Sequence, residues 1–198
     1  MRQKCFKNLS LIVCFLLLVA CGSATKKPMI VIEKATTVEK LVLTEAEKAK
    51  YMKALDLMAQ SAFTEAASIF ESLTKAQPKL TGAYVNLGVI RKAENRIEEA
   101  EQLFAKALNI NPNFVDALLQ QALIYQDKGE FSKTEELLRR AEAIQPENPL
   151  VNYNLGVLYE LYLQEYSLAI KHYKRYVKFS NADDVEIVKR WILLLERK

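Results

Sequence analysis

The 198-residue chain is poor in the residues that build catalytic and metal-binding centres, with one histidine and three cysteines. Cys5, Cys14 and Cys21 all fall within the first 21 residues, so the remainder can form neither a disulfide framework nor a thiolate metal site. His172 stands in a basic stretch with Lys171, Lys174 and Arg175. With no cysteine beside it, that is the setting of a surface residue rather than a ligand. No Gly-rich phosphate loop, nucleophile elbow or His-Glu-x-x-His motif occurs. The acidic pairs Glu98-Glu99, Glu135-Glu136 and Asp183-Asp184 read as early positions of helices, where negative charge suits the helix dipole. The chain is therefore expected to be no enzyme and to need no cofactor. Glycine and proline are scarce, five each, which favours helices. The basic excess is local. Arg2, Lys4 and Lys7 supply three of the 28 Lys and Arg, and without them 25 face 24 Asp and Glu. A nucleic-acid footprint needs a concentrated basic face, and none is visible.

The first 21 residues form a unit of their own. The basic start is followed by an apolar run from Leu9 to Ala20, too short for a comfortable membrane span of about 20 residues. Charged, then apolar, then small is the order of a secretory signal. It closes on Leu18-Val19-Ala20-Cys21, which resembles the lipobox of bacterial lipoproteins. The resemblance implies cleavage after residue 20 and lipid on Cys21; an uncleaved anchor or an ordinary signal is the alternative. Two or three acyl chains, at about 0.8 kcal/mol per buried methylene, hold firmly where one is marginal. Gly22, in place of a retaining aspartate, resembles the outer-membrane default, so the expected location is the outer membrane, facing the periplasm. Residues 21–43 then form a lipidated tether, in which Met29-Ile30-Val31-Ile32 is a four-residue apolar run long enough for a short strand.

From residue 44 onward the chain repeats itself every 34 residues. Ala54, Gly88, Ala122 and Gly156 are each 34 apart. Further columns are Phe63, Ile97, Phe131, Tyr166; Ala66, Ala100, Thr134, Ala169; Phe70, Phe104, Leu138, Tyr173; and Leu73, Ala107, Ala141, Tyr176. The last spacing in these four columns is 35, which places one inserted residue between Gly156 and Tyr166. Pro78, Pro112 and Pro146 break the chain between units. Asn95 and Gly129 suit a left-handed turn within theirs. Thr44-Glu45-Ala46-Glu47 reads as a capping box at the first helix start.

Period and columns together resemble the tetratricopeptide repeat, or TPR. The resemblance implies an all-α superhelical solenoid over 44–198, with four helix-turn-helix repeats at about 47–80, 81–114, 115–148 and 149–183. The small columns mark where paired helices approach closely, and the aromatic columns fill the space beside them. Residues 184–198 carry Val185, Val188, Trp191, Ile192 and Leu195 at helical spacing, the pattern of a capping helix, with Trp191 as its plug. The family resemblance to TPR lipoproteins of type IV pilus biogenesis implies an adaptor for envelope proteins. Those proteins carry more repeats than four.

TPR solenoids present a concave groove lined by their first helices. By register the partner-binding candidates are Tyr51, Leu55, Asn86, Val89, Gln120, Leu123, Tyr153, Asn154 and Val157, with Met58, Val85, Lys92, Asp116, Leu119, Gln126, Leu150 and Glu160 beside them. Asn86, Gln120 and Asn154, 34 apart, form an amide ladder suited to a peptide backbone. Lys92 and Lys48 are its candidate cations, too few for a carboxylate clamp. The implied function is a lipid-anchored periplasmic scaffold that binds envelope proteins, for example in pilus or secretin assembly. Adaptors for peptidoglycan enzymes or for a transport or motility machine, and a self-associating spacer, are the alternatives.

Overall fold

The computed structural model describes residues 42–197. The signal segment, Cys21 and nearly all of the tether lie outside the described residues. Nine α-helices are seen among the described residues: α1 Glu45–Ala59, α2 Phe63–Ala76, α3 Thr81–Ala93, α4 Ile97–Ile110, α5 Val115–Asp127, α6 Phe131–Ile144, α7 Pro149–Val157, α8 Tyr166–Phe179 and α9 Val185–Leu195. A π-helical turn, Leu158–Tyr162, continues α7. Helices α1 to α8 pair off as four antiparallel units, and α9 packs on α8.

Thr44 opens α1 with the expected reciprocal cap. Its Oγ1 accepts from the Glu47 N–H at 3.2 Å, and the Glu47 carboxylate accepts from the Thr44 N–H at 2.8 Å. The first helix of each unit ends in a left-handed residue: Ser61 (φ 60°), Asn95 (61°), Gly129 (75°) and Gln164 (57°). In the first three units the next amide reaches back five residues, Ala62 to Leu57 (2.9 Å), Arg96 to Arg91 (2.8 Å) and Glu130 to Tyr125 (2.8 Å). This bond caps otherwise orphaned carbonyls and turns the chain into the second helix. In the fourth unit the Glu165 amide reaches back six, to Tyr159 (2.8 Å). The inserted residue is absorbed by the π turn, where the Leu163 N–H bonds Leu158 O at 3.1 Å. A widened turn accepts an extra residue without breaking the helical ladder.

The small column explains how closely the helices approach. A Cβ on Gly88 stands 2.4 Å from the Phe104 ring, and one on Gly156 stands 2.4 Å from the Tyr173 ring. Units one and three place Ala54 and Ala122 at the same step, in the same apolar clusters as Phe70 and Leu138. Thr134 takes an alanine-column position because its hydroxyl donates to Glu130 O at 3.2 Å, satisfying the one polar atom it brings.

His172 departs from the surface position expected of it, being fully buried. It stacks on Tyr159, ring centroids 5.6 Å apart and planes 18° from parallel. Its Nδ1 lies 3.4 Å from Asn152 Oδ1 and 3.8 Å from Glu142 Oε1. The basic neighbours suggested an outward face, but they flank the helix while His172 itself points toward α6 and α7. Burial holds its pKa down to about 4, so the ring is neutral at physiological pH.

Candidate partner-binding surface

The first helices bring the groove candidates onto one side of the solenoid but divide them by accessibility. Leu55, Met58, Val85, Asn86, Leu119, Gln120 and Tyr51 are buried, the last at 8% exposure, and so belong to the packing between helices rather than to an open groove. Val89, Leu123, Tyr153, Asn154 and Val157 keep part of their surface. The three amides share a register and not a role. Asn86 Nδ2 donates to the Tyr51 hydroxyl at 2.8 Å, tying unit two to unit one. Asn154 Nδ2 donates to Leu150 O on its own helix at 2.7 Å. The acceptors Asn86 Oδ1 and Gln126 Oε1 are buried without a partner.

The charges on this side are unevenly matched. Lys92 meets Asp127 at 3.5 Å, and Lys48 meets Glu45 at 2.7 Å. Both candidate cations are thus committed to acids of the chain. Asp116, in the first turn of α5, has no hydrogen bond or ion pair among the described residues, and burial pushes its carboxyl up to about 6.

The densest feature is aromatic and lies in unit four. Tyr153 packs against Tyr176 (5.3 Å between centroids), Tyr173 (6.3 Å) and Trp191 (6.4 Å), and Tyr173 packs against Trp191 (5.9 Å). Tyr173 and Tyr176 are buried, while Tyr153 and Trp191 are half-buried and keep part of their surface. The Tyr173 hydroxyl donates to Glu160 Oε2 at 2.8 Å, and that of Tyr176 donates to Asp184 Oδ1. Burial, reinforced by the negative charges of Asp184 and Glu160, raises the Tyr153 hydroxyl above the usual phenol range. By sequence Trp191 belongs to the cap and Tyr153 to the groove; α9 brings them together. No helix among the described residues is long and apolar enough to cross a membrane.

Two tetratricopeptide-repeat family models match the chain, over residues 57–124 and 119–184, and so span most of it. The chain belongs to the TPR family. Similar solved structures share this TPR solenoid fold. A thermophilic TPR protein of Thermus thermophilus is 22% identical, with 76% of this chain and 82% of that chain covered and a TM-score of 0.65. PilF of Pseudomonas aeruginosa is 19% identical, covering 77% and 70%, with a TM-score of 0.68. A TPR protein from Parabacteroides merdae is 18% identical, covering 77% and 61%, with a TM-score of 0.59. No curated protein matches the chain. TPR domains are protein-interaction scaffolds, typically without catalysis of their own, and this TPR protein is accordingly a binder of protein partners.

Proposed function

We propose that this TPR protein is a lipid-anchored adaptor of the cell envelope, held by lipid on Cys21 at the outer membrane and facing the periplasm, where it binds protein subunits during assembly of an envelope complex. The observation that carries the binding half is the surface of unit four, where half-buried Tyr153 and Trp191 keep accessible surface over a buried aromatic base. Tyrosine and tryptophan combine large apolar area with a polar tip and concentrate binding energy. The lipobox-like Leu18-Val19-Ala20-Cys21 supports the anchor. Confinement to a surface raises the effective concentration of whatever the groove holds. The likeness to PilF supports the pilus or secretin pathway among the envelope partners considered. A peptidoglycan-enzyme adaptor uses the same surface with a different client.

Two measurements test the proposal. Radiolabelled palmitate enters the wild-type chain and not Cys21→Ser; labelling of neither, or of both, overturns the anchor. A pull-down from solubilised envelopes with the chain tagged at Lys198 retains a secretin or other assembly subunit, and Tyr153→Ala/Asn154→Ala loses it. Equal capture by both moves the interface off unit four.

A specific observation supports a second reading, the self-associating spacer. The outer face of α9 exposes Ile187 (49%), Leu193 (57%) and Leu194 (59%). A concentration series by analytical ultracentrifugation decides it: a single monomeric species throughout removes the spacer.

A further inference from the structure

Three basic residues of α8 and α9 are ion-paired, Lys189 within its own helix. Lys174 meets Glu196 at 2.6 Å, Lys189 meets Glu186 at 2.6 Å, and Arg175 meets Glu142 at 2.5 Å. Two acids beside the aromatic cluster, Glu160 and Asp184, are held differently. Neither meets a cation among the described residues, and each accepts a tyrosine hydroxyl, from Tyr173 and Tyr176 respectively. A neutral phenol positions a carboxylate without cancelling its charge, so two negative charges remain beside one aromatic cluster. The Tyr153 hydroxyl is unbonded among the described residues, and the fields of both carboxylates reach it. Its ring and that of Trp191 keep accessible surface, and Leu150, one turn earlier on α7, is 39% exposed.

Aromatic faces attract cations through their ring quadrupoles, and nearby carboxylates add to that attraction. Uncompensated carboxylates near half-desolvated aromatic faces complement an opposite charge and repel a like one. On the basis of the adaptor function proposed above, we infer that the Tyr153–Trp191 surface, flanked by Glu160 and Asp184, is a recognition site for a lysine or arginine side chain set between apolar residues in an extended segment of a protein partner. The cation seats against Tyr153 and Trp191, and an adjacent apolar side chain covers Leu150. This inverts the carboxylate clamp: the groove's own cations, Lys48 and Lys92, are already paired, and the ligand supplies the positive charge.

The chain has one tryptophan, so Trp191 emission reports on this site alone. The full chain in mild detergent is titrated with an acetylated, amidated pentapeptide alternating leucine with arginine, and separately with its leucine–glutamate counterpart. The arginine peptide produces a saturable change in Trp191 emission that weakens as salt is added, and the glutamate peptide produces none. Tyr153→Leu weakens binding about tenfold, the weight of one partly desolvated cation–π contact. Glu160→Gln/Asp184→Asn does the same while both amides still accept the tyrosine protons, and unchanged far-ultraviolet circular dichroism verifies the fold. Equal response to both peptides, no response to either, or undiminished affinity in the folded variants overturns the inference. The two proposals fail separately. An envelope partner captured by unit four yet not displaced by the arginine peptide removes the cation site and leaves the adaptor. Saturable peptide binding with no partner captured removes the adaptor and leaves the cation site.

Discussion

Units two and four build the same close helix approach from different rings. In unit two Gly88 faces Phe104, and in unit four Gly156 faces Tyr173; both rings are essentially unexposed. The phenyl ring ends in an apolar cluster with Val85, Ala100 and Ala107. The phenol must find an acceptor for its hydroxyl, and it finds Glu160 on the π turn. The repeat columns thus dictate shape alike in both units. One oxygen atom makes unit two a plain packing module and gives unit four a carboxylate beside its half-buried aromatics.

The largest effects come from removing the rings. Phe104→Ala and Tyr173→Ala each lose about 3–5 kcal/mol in urea unfolding, since each empties a fully packed step. If either costs under about 1 kcal/mol, the close approach is not what holds its unit. Next come the glycines. Gly88→Ala costs about 1–3 kcal/mol by overpacking against Phe104, despite alanine's better helix propensity. Adding Phe104→Leu recovers most of that loss, because Ala122 and Leu138 already show that pair fitting in unit three. A double-mutant cycle with no coupling breaks the shared geometry of the units.

The shifts of buried His172 and half-buried Asp116 differ in sign. His172 has its folded pKa lowered to about 4 from 6.5, so the unfolded chain binds more protons between those values and stability falls as pH drops through that window. Relative to wild type, His172→Gln is therefore less acid-sensitive there, by about 3 kcal/mol. Asp116 has its folded pKa raised to about 6 from 3.8, so its protonated form favours folding and stability falls as pH rises through that window. Asp116→Asn gains at most about 3 kcal/mol at pH 7 and nothing at pH 3. Thermal unfolding at pH 3, 5 and 7 reads both, and a pH-independent difference from wild type contradicts either assignment.

Much of this architecture was legible in the residues. The five columns carry the solenoid because every unit repeats the same steric step, and Asn95 and Gly129 announce their turns by residue type. Ser61 and Gln164 adopt the same left-handed turn without that signal, because the reversal between packed helices imposes it. The insertion was visible as a spacing of 35, but not that a π turn absorbs it. Register put Asn86 and Asn154 on one face, yet it could not say that one would brace Tyr51 and the other its own helix.

What the sequence by itself determined is the repeat: its length, its four units, its close approaches and the cap helix that follows. These depend on neighbours within one unit or the next, so they leave a periodic trace along the chain. What only the tertiary structure decided is where the polar atoms go: His172 inward on Tyr159, Glu160 onto Tyr173, Asp184 onto Tyr176, and Trp191 beside Tyr153. The physical reason is that a polar side chain's environment is set by what a neighbouring helix places against it, and that partner follows no period.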